Sequence, residues 1–122
     1  MREAAYEVGT FIKNNDWSTA RAIHFVALYL KMHLEIYGVE AADCGPEERL
    51  QAAGIAGKML EREFGGEPER MVDFVHWVWK REAGAERWRR ENGREGRRIS
   101  WMLQFSSKLL LDYKVNYRRT AR

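Results

Sequence analysis

Three observations in this 122-residue chain predict an all-α fold. Apolar residues recur at intervals of three and four over most of its length. No stretch shows the sustained period-two alternation of β-branched residues that marks a half-buried strand. The two prolines, Pro46 and Pro68, fall where helices would begin, and Gly38 and Gly65 fall where helices would end. The expected architecture is a single compact domain, 1–122, of four to five helices. A central apolar helix lies at about 17–37, and an Arg/Gly-rich connection precedes the last helix.

The first helix is expected over about 3–13, with Ala4, Ala5, Val8, Phe11 and Ile12 inward, and Asn14-Asn15-Asp16 breaking it. The second, at about 17–37, takes Asp16 or Ser18 as its cap. Arg21, His24, Lys31 and Glu35 form a narrow polar stripe, and the remaining surface is apolar, as in a helix central to its core. The third spans 46–64 with Leu50, Ala53, Gly57, Leu60 and Phe64 on one face. Gly54 and Gly57 each cost about 1 kcal/mol against alanine, so close approach of a neighbouring helix, or a kink, is expected there. The fourth starts at Pro68 with Met71, Val72, Val75, Val78 and Trp79 inward, widened by Phe74 and Trp77. It ends near Glu82 or runs on through Trp88 to Asn92. The fifth starts near Ile99, capped by Ser100, with Ile99, Met102, Leu103, Ser106, Leu109, Leu110, Tyr113 and Tyr117 on its core face.

Charge divides the chain. Residues 1–79 hold 8 Lys/Arg and 13 Asp/Glu, and residues 80–122 hold 13 and 5, so the net +3 conceals an acidic and a basic part. Such asymmetry points to a polyanionic partner, or to one subunit's basic end meeting another's acidic end. At 45% hydrophobic the chain has enough apolar residues for a core. The single cysteine, Cys44, allows no internal disulfide, and no signal-peptide pattern opens the chain. The most apolar stretch, 22–37, is interrupted by Lys31, His33 and Glu35 and falls short of the roughly 20 residues of a membrane helix. A soluble, cytoplasmic protein with no membrane partner is expected.

The basic Arg/Gly segment, 83–98, is the strongest functional candidate. Arg87, Arg89, Arg90, Arg94, Arg97 and Arg98 surround Trp88, with Gly93 and Gly96 between them. From 81 to 98 every basic residue is arginine, which forks onto phosphate oxygens where lysine acts as a point charge. An indole adds a stacking face. Lys108, Lys114, Arg118 and Arg119 extend the patch, the last two within a basic tail, 118–122. The competing expectation is a solvated face laced with Glu–Arg pairs, since Glu82, Glu86, Glu91 and Glu95 are interspersed. On the last helix Trp101 and Phe105 lie opposite the core face, a contact surface unless another element covers them.

Other chemistry finds little support. His24, His33 and His76 have no zinc-ligand spacing and there is no CxxC, so neither metal nor cofactor is expected. Cys44 precedes a helix, where a thiol can be activated, but reads as a loop cysteine. The fourth helix opens Pro-Glu-Arg-Met and turns apolar, unlike a major-groove recognition helix. The expected function is therefore a small non-enzymatic nucleic-acid-binding protein, DNA or RNA, as an accessory subunit of a nucleoprotein complex. The alternatives are a helical adaptor or inhibitor that binds a protein partner through the same Arg/Trp surface, and a homo-oligomer.

Overall fold

The computed structural model describes residues 1–120, with side chains described through Asn116. Six helices make up these residues, without strands: α1 (Arg2–Asn14), α2 (Ala22–Tyr37), α3 (Pro46–Phe64), α4 (Pro68–Glu91), the single turn α5 (Trp101–Gln104) and α6 (Ser107–Thr120). Helix α2 is central. It packs against α1, α3, α4 and α5, while α6 lies on α4. Phe25, Val26, Ala27, Leu28 and Tyr29 form an unbroken buried run along it, as expected of a helix with neighbours on nearly every side. No helix among the described residues is long and apolar enough to cross a membrane.

The start of α2 differs from expectation by five residues. Asp16 does not cap it. Its Oδ1 instead accepts the backbone N–H of Ser18 at 3.0 Å and the Ser18 hydroxyl at 2.7 Å, and Ala20 N–H closes a turn on the Trp17 carbonyl. The turn buries Trp17 against Phe11 and Phe25, an apolar gain that outweighs continuing the helix backward. The N-cap is Arg21, whose N–H donates to His24 Nδ1 at 2.8 Å. His24 is therefore buried and leaves the expected polar stripe, where Lys31 and Glu35 remain as an exposed pair.

Two inward faces also shift. Ala5 and Ile12 are exposed on α1, where Ala4, Val8 and Phe11 make the contact. On α3, Leu50 is 76% exposed, and Ala52, Ala56, Met59, Leu60 and Phe64 face the core. Gly57 does permit a close approach: a Cβ there would stand 3.4 Å from the Ala22 Cβ of α2. Helix α3 keeps its expected bounds, with Pro46 at its first position. At its end Gly65 is left-handed, and Gly66 N–H returns to the Leu60 carbonyl.

The expected last helix is broken in two, giving six helices rather than four or five. Ser100 Oγ accepts Leu103 N–H and caps α5. Ser106 then restarts the chain: its hydroxyl donates to the Leu103 carbonyl at 2.6 Å and accepts Leu109 N–H at 3.4 Å. The break rotates one face against the other. Trp101 and Phe105 are buried, not displayed, and Met102 is 62% exposed. The contact surface expected from Trp101 and Phe105 does not exist.

The α2 core generates a direct test. Leu28→Ala is expected to destabilise the protein by about 2–5 kcal/mol in denaturant melts. Leu30, which is only half-buried, is expected to cost less. A loss at Leu28 within about 0.5 kcal/mol, the range of a surface substitution, would contradict the placement of the core.

Candidate nucleic-acid interface

Helix α4 does not stop at Glu82 but continues through Trp88 to Glu91, so the first nine residues of the basic segment are helical. Its end is closed by Gly93, left-handed at φ 61°, and by Arg94 N–H on the Arg89 carbonyl at 2.8 Å. The chain then runs without regular structure from Arg94 to Ser100.

That run is anchored by buried polar groups. Tyr37, on the last turn of α2, donates its hydroxyl proton to Glu82 Oε2 at 2.5 Å and accepts Ile99 N–H at 2.8 Å. The Tyr29 proton is shared between the Ile99 carbonyl at 3.0 Å and Asp43 Oδ1 at 3.2 Å. Asp43 Oδ2 accepts Trp101 N–H, and the Asp43 carbonyl accepts the Trp101 indole N–H, both at 3.2 Å. Burial raises both tyrosine pKa values, reinforced at Tyr37 by the hydrogen bond to Glu82 and at Tyr29 by the charge of Asp43. Both phenols stay neutral and able to donate.

Arg89 belongs to this anchor. Its Nη2 donates to Glu82 Oε1 at 3.0 Å and its Nε to Glu86 Oε1 at 3.1 Å. Burial acts to lower the guanidinium pKa, but the hydrogen bonds to Glu82 and Glu86 outweigh it and the net shift is upward. Gly96 lies on its stem. A Cβ there would stand 2.5 Å from Arg89 Cδ, so the glycine serves close packing rather than flexibility. Arg90 is also engaged. Its Nη2 donates to the Tyr37 carbonyl at 3.1 Å and reaches the Ile36 carbonyl at 3.4 Å, satisfying the open end of α2.

The other arginines of the run are presented outward. Arg87, Arg94, Arg97 and Arg98 are exposed, and among the described residues none of the four forms an ion pair with a carboxylate. Trp88 is 55% exposed, with the Arg94 guanidinium 5.9 Å from its ring. Arg98 lies at the same distance over the Tyr37 ring. Lys108 is exposed on α6, whereas Lys114 is paired with Glu63 of α3 at 2.8 Å. The Arg118 and Arg119 side chains lie outside the described residues. Arg81, absent from the sequence-derived set, stacks 4.8 Å over Trp77. The four-residue spacing of Trp77 and Arg81, about one helical turn, is the local signal by which the sequence could have revealed it.

Cys44 is buried, and burial together with the neighbouring Asp43 raises its thiol pKa, opposite to an activated nucleophile. No group of three His, Cys, Asp or Glu side chains among the described residues is placed to hold a metal ion. Comparison with protein-family models, curated proteins and solved structures gave no match.

The two kinds of arginine are separable by mutation. Arg89→Ala leaves Glu82 buried with one partner fewer and is expected to cost about 3–5 kcal/mol. Arg87→Ala should stay within about 0.5 kcal/mol. Equal effects in denaturant melts would contradict the division into anchored and presented side chains.

Proposed function

We propose that the protein is a small non-enzymatic nucleic-acid-binding protein, an accessory subunit of a nucleoprotein complex, that grips phosphates through the end of α4 and the run that follows it. The observation that carries this reading is the half-exposed indole of Trp88 beside the Arg94 guanidinium, on a segment that also exposes Arg87, Arg97 and Arg98, none of the four ion-paired to a carboxylate among the described residues. The carboxylates expected to neutralise the segment do so selectively. Glu82 and Glu86 are taken up by Arg89, and by Arg90 at 3.8 Å, so Arg87, Arg94, Arg97 and Arg98 keep their charge for a partner. Guanidinium groups bind phosphate bidentately, and an indole stacks on any base. Contacts of this kind give affinity with little sequence readout.

Arg and Trp are also enriched at protein-interface hot spots. The exposed Trp88 therefore makes an adaptor docking on an acidic protein surface the second reading, and salt dependence on an oligonucleotide separates the two. With four phosphate contacts, log K on a random single strand should fall against log salt with a slope of about −2.8. The variant Arg87→Ala/Arg94→Ala/Arg98→Ala should flatten that slope to about −0.7 and weaken binding to all sequences alike. An unchanged slope in the folded variant would remove this surface from the site. Absence of wild-type binding at low salt would overturn the nucleic-acid reading.

A further inference from the structure

A cleft of about 240 Å³ opens between α4 and the arm formed by residues 97–109. Its walls are apolar, including Trp77, Ile99, Leu103 and Leu109. Its charged lining is one carboxylate and three arginines. Glu82, 9% exposed, and its ion-pair partner Arg89 are the less exposed of these, while Arg81 and Arg97 line the cleft from exposed positions. The Arg81 guanidinium lies over the Trp77 ring, a cation held flat on an aromatic plane.

The geometry points to this cleft as the receptor for one unpaired base of a single-stranded nucleic acid, an inference that rests on the function proposed above. Three properties favour a base over other small ligands. The apolar walls suit a planar ring, and the Arg81 guanidinium laid over Trp77 offers its outer plane as a stacking surface for a base. The Glu82 carboxylate, satisfied by one partner on each oxygen, keeps acceptor capacity for further donors. Tyr37 and Arg89 occupy two of its roughly four acceptor positions. Base edges carry amino and imino N–H groups to fill the others, whereas an acyl chain has none. The exposed Arg97 is then available to a flanking phosphate. The volume is below the 300–1,000 Å³ or so of a drug-sized pocket, which fits one ring system. A base stacked and paired in a duplex cannot enter, so the cleft selects single strands.

Ala85 lines the cleft yet is exposed, so Ala85→Phe fills it without disturbing the core. Fluorescence anisotropy with a labelled random single-stranded 12-mer, and with the same sequence as a duplex, measures the consequence. Wild-type protein should prefer the single strand. Ala85→Phe should lose about tenfold of that affinity while duplex binding is unchanged. Arg81→Gln, at an exposed position, is the second variant should the phenylalanine destabilise the protein, and should lose single-strand affinity selectively. Unchanged single-strand affinity in both folded variants, equal losses on both strand forms, or a wild-type preference for duplex would each overturn the cleft while leaving the phosphate-gripping surface standing. No wild-type binding to either form would overturn that surface and the cleft with it.

Discussion

Glu82 carries a carboxylate nearly out of solvent, and the C-terminal half of the molecule is arranged around satisfying it. A buried charge costs several kcal/mol unless it is paired and hydrogen-bonded. Here the Tyr37 hydroxyl and the Arg89 guanidinium occupy one oxygen each. Each partner then performs a second task. Tyr37 takes the Ile99 N–H, and Arg89 reaches Glu86 while its stem receives Gly96. One carboxylate on α4 thereby fixes the end of α2, the end of α4 and the strand-like passage toward α5. Asp43 and Tyr29 complete the hold at Ile99 and Trp101. A buried ion pair is weak evidence for net stability. Its consequence here is specificity of path: it fixes where the irregular run from Arg94 to Ser100 lies.

This anchor explains how a charge-rich segment can present a defined surface. A free Arg/Gly run would have to be ordered on binding, at a cost in affinity. In this chain its two ends are pinned, and two of its arginines, Arg89 and Arg90, are spent on the pinning. The others are exposed, Arg94 beside Trp88. Pinning Ile99 also sets the far wall of the cleft, so the same hydrogen bonds that position the presented arginines shape the cavity next to them.

Much of the helical plan was legible because it rests on local signals. Pro46 and Pro68 mark true first positions, Gly65 a true end, and the inward residues Met71, Val72, Val75, Val78 and Trp79 of α4 are all buried. What was not legible depends on partners distant in the chain. Leu50 fits the periodic pattern of α3, but only the position of α2 decides that Ala52 and Ala56 are the residues that pack. Nothing near Ser106 signals a break. The break follows from Trp101 and Phe105 both reaching the core, which a continuous helix would forbid with Leu103 and Leu110 also inward. The candidate site shows the same limit. Composition drew attention to six arginines as equals, yet Glu82, Tyr37 and the end of α2 divide them into anchors and presented groups. Arg89 meets Glu82 and Glu86 only seven and three positions away, but Arg90 reaches a carbonyl 53 positions away and Tyr37 reaches Glu82 across 45, contacts that no local pattern announces.

Amide hydrogen exchange, resolved by residue, tests the anchor most directly. The N–H groups of Ile99 and Trp101 are donated to Tyr37 and Asp43, so they should open only with the surrounding core and exchange as slowly as the amides of α4 around Val75. Glu95, Gly96 and Arg97, a few residues away, should exchange at rates close to those of an unstructured chain. If Ile99 and Trp101 instead exchange as fast as those neighbours, the buried network does not hold the segment, and the ordered surface and cleft that depend on it are not there.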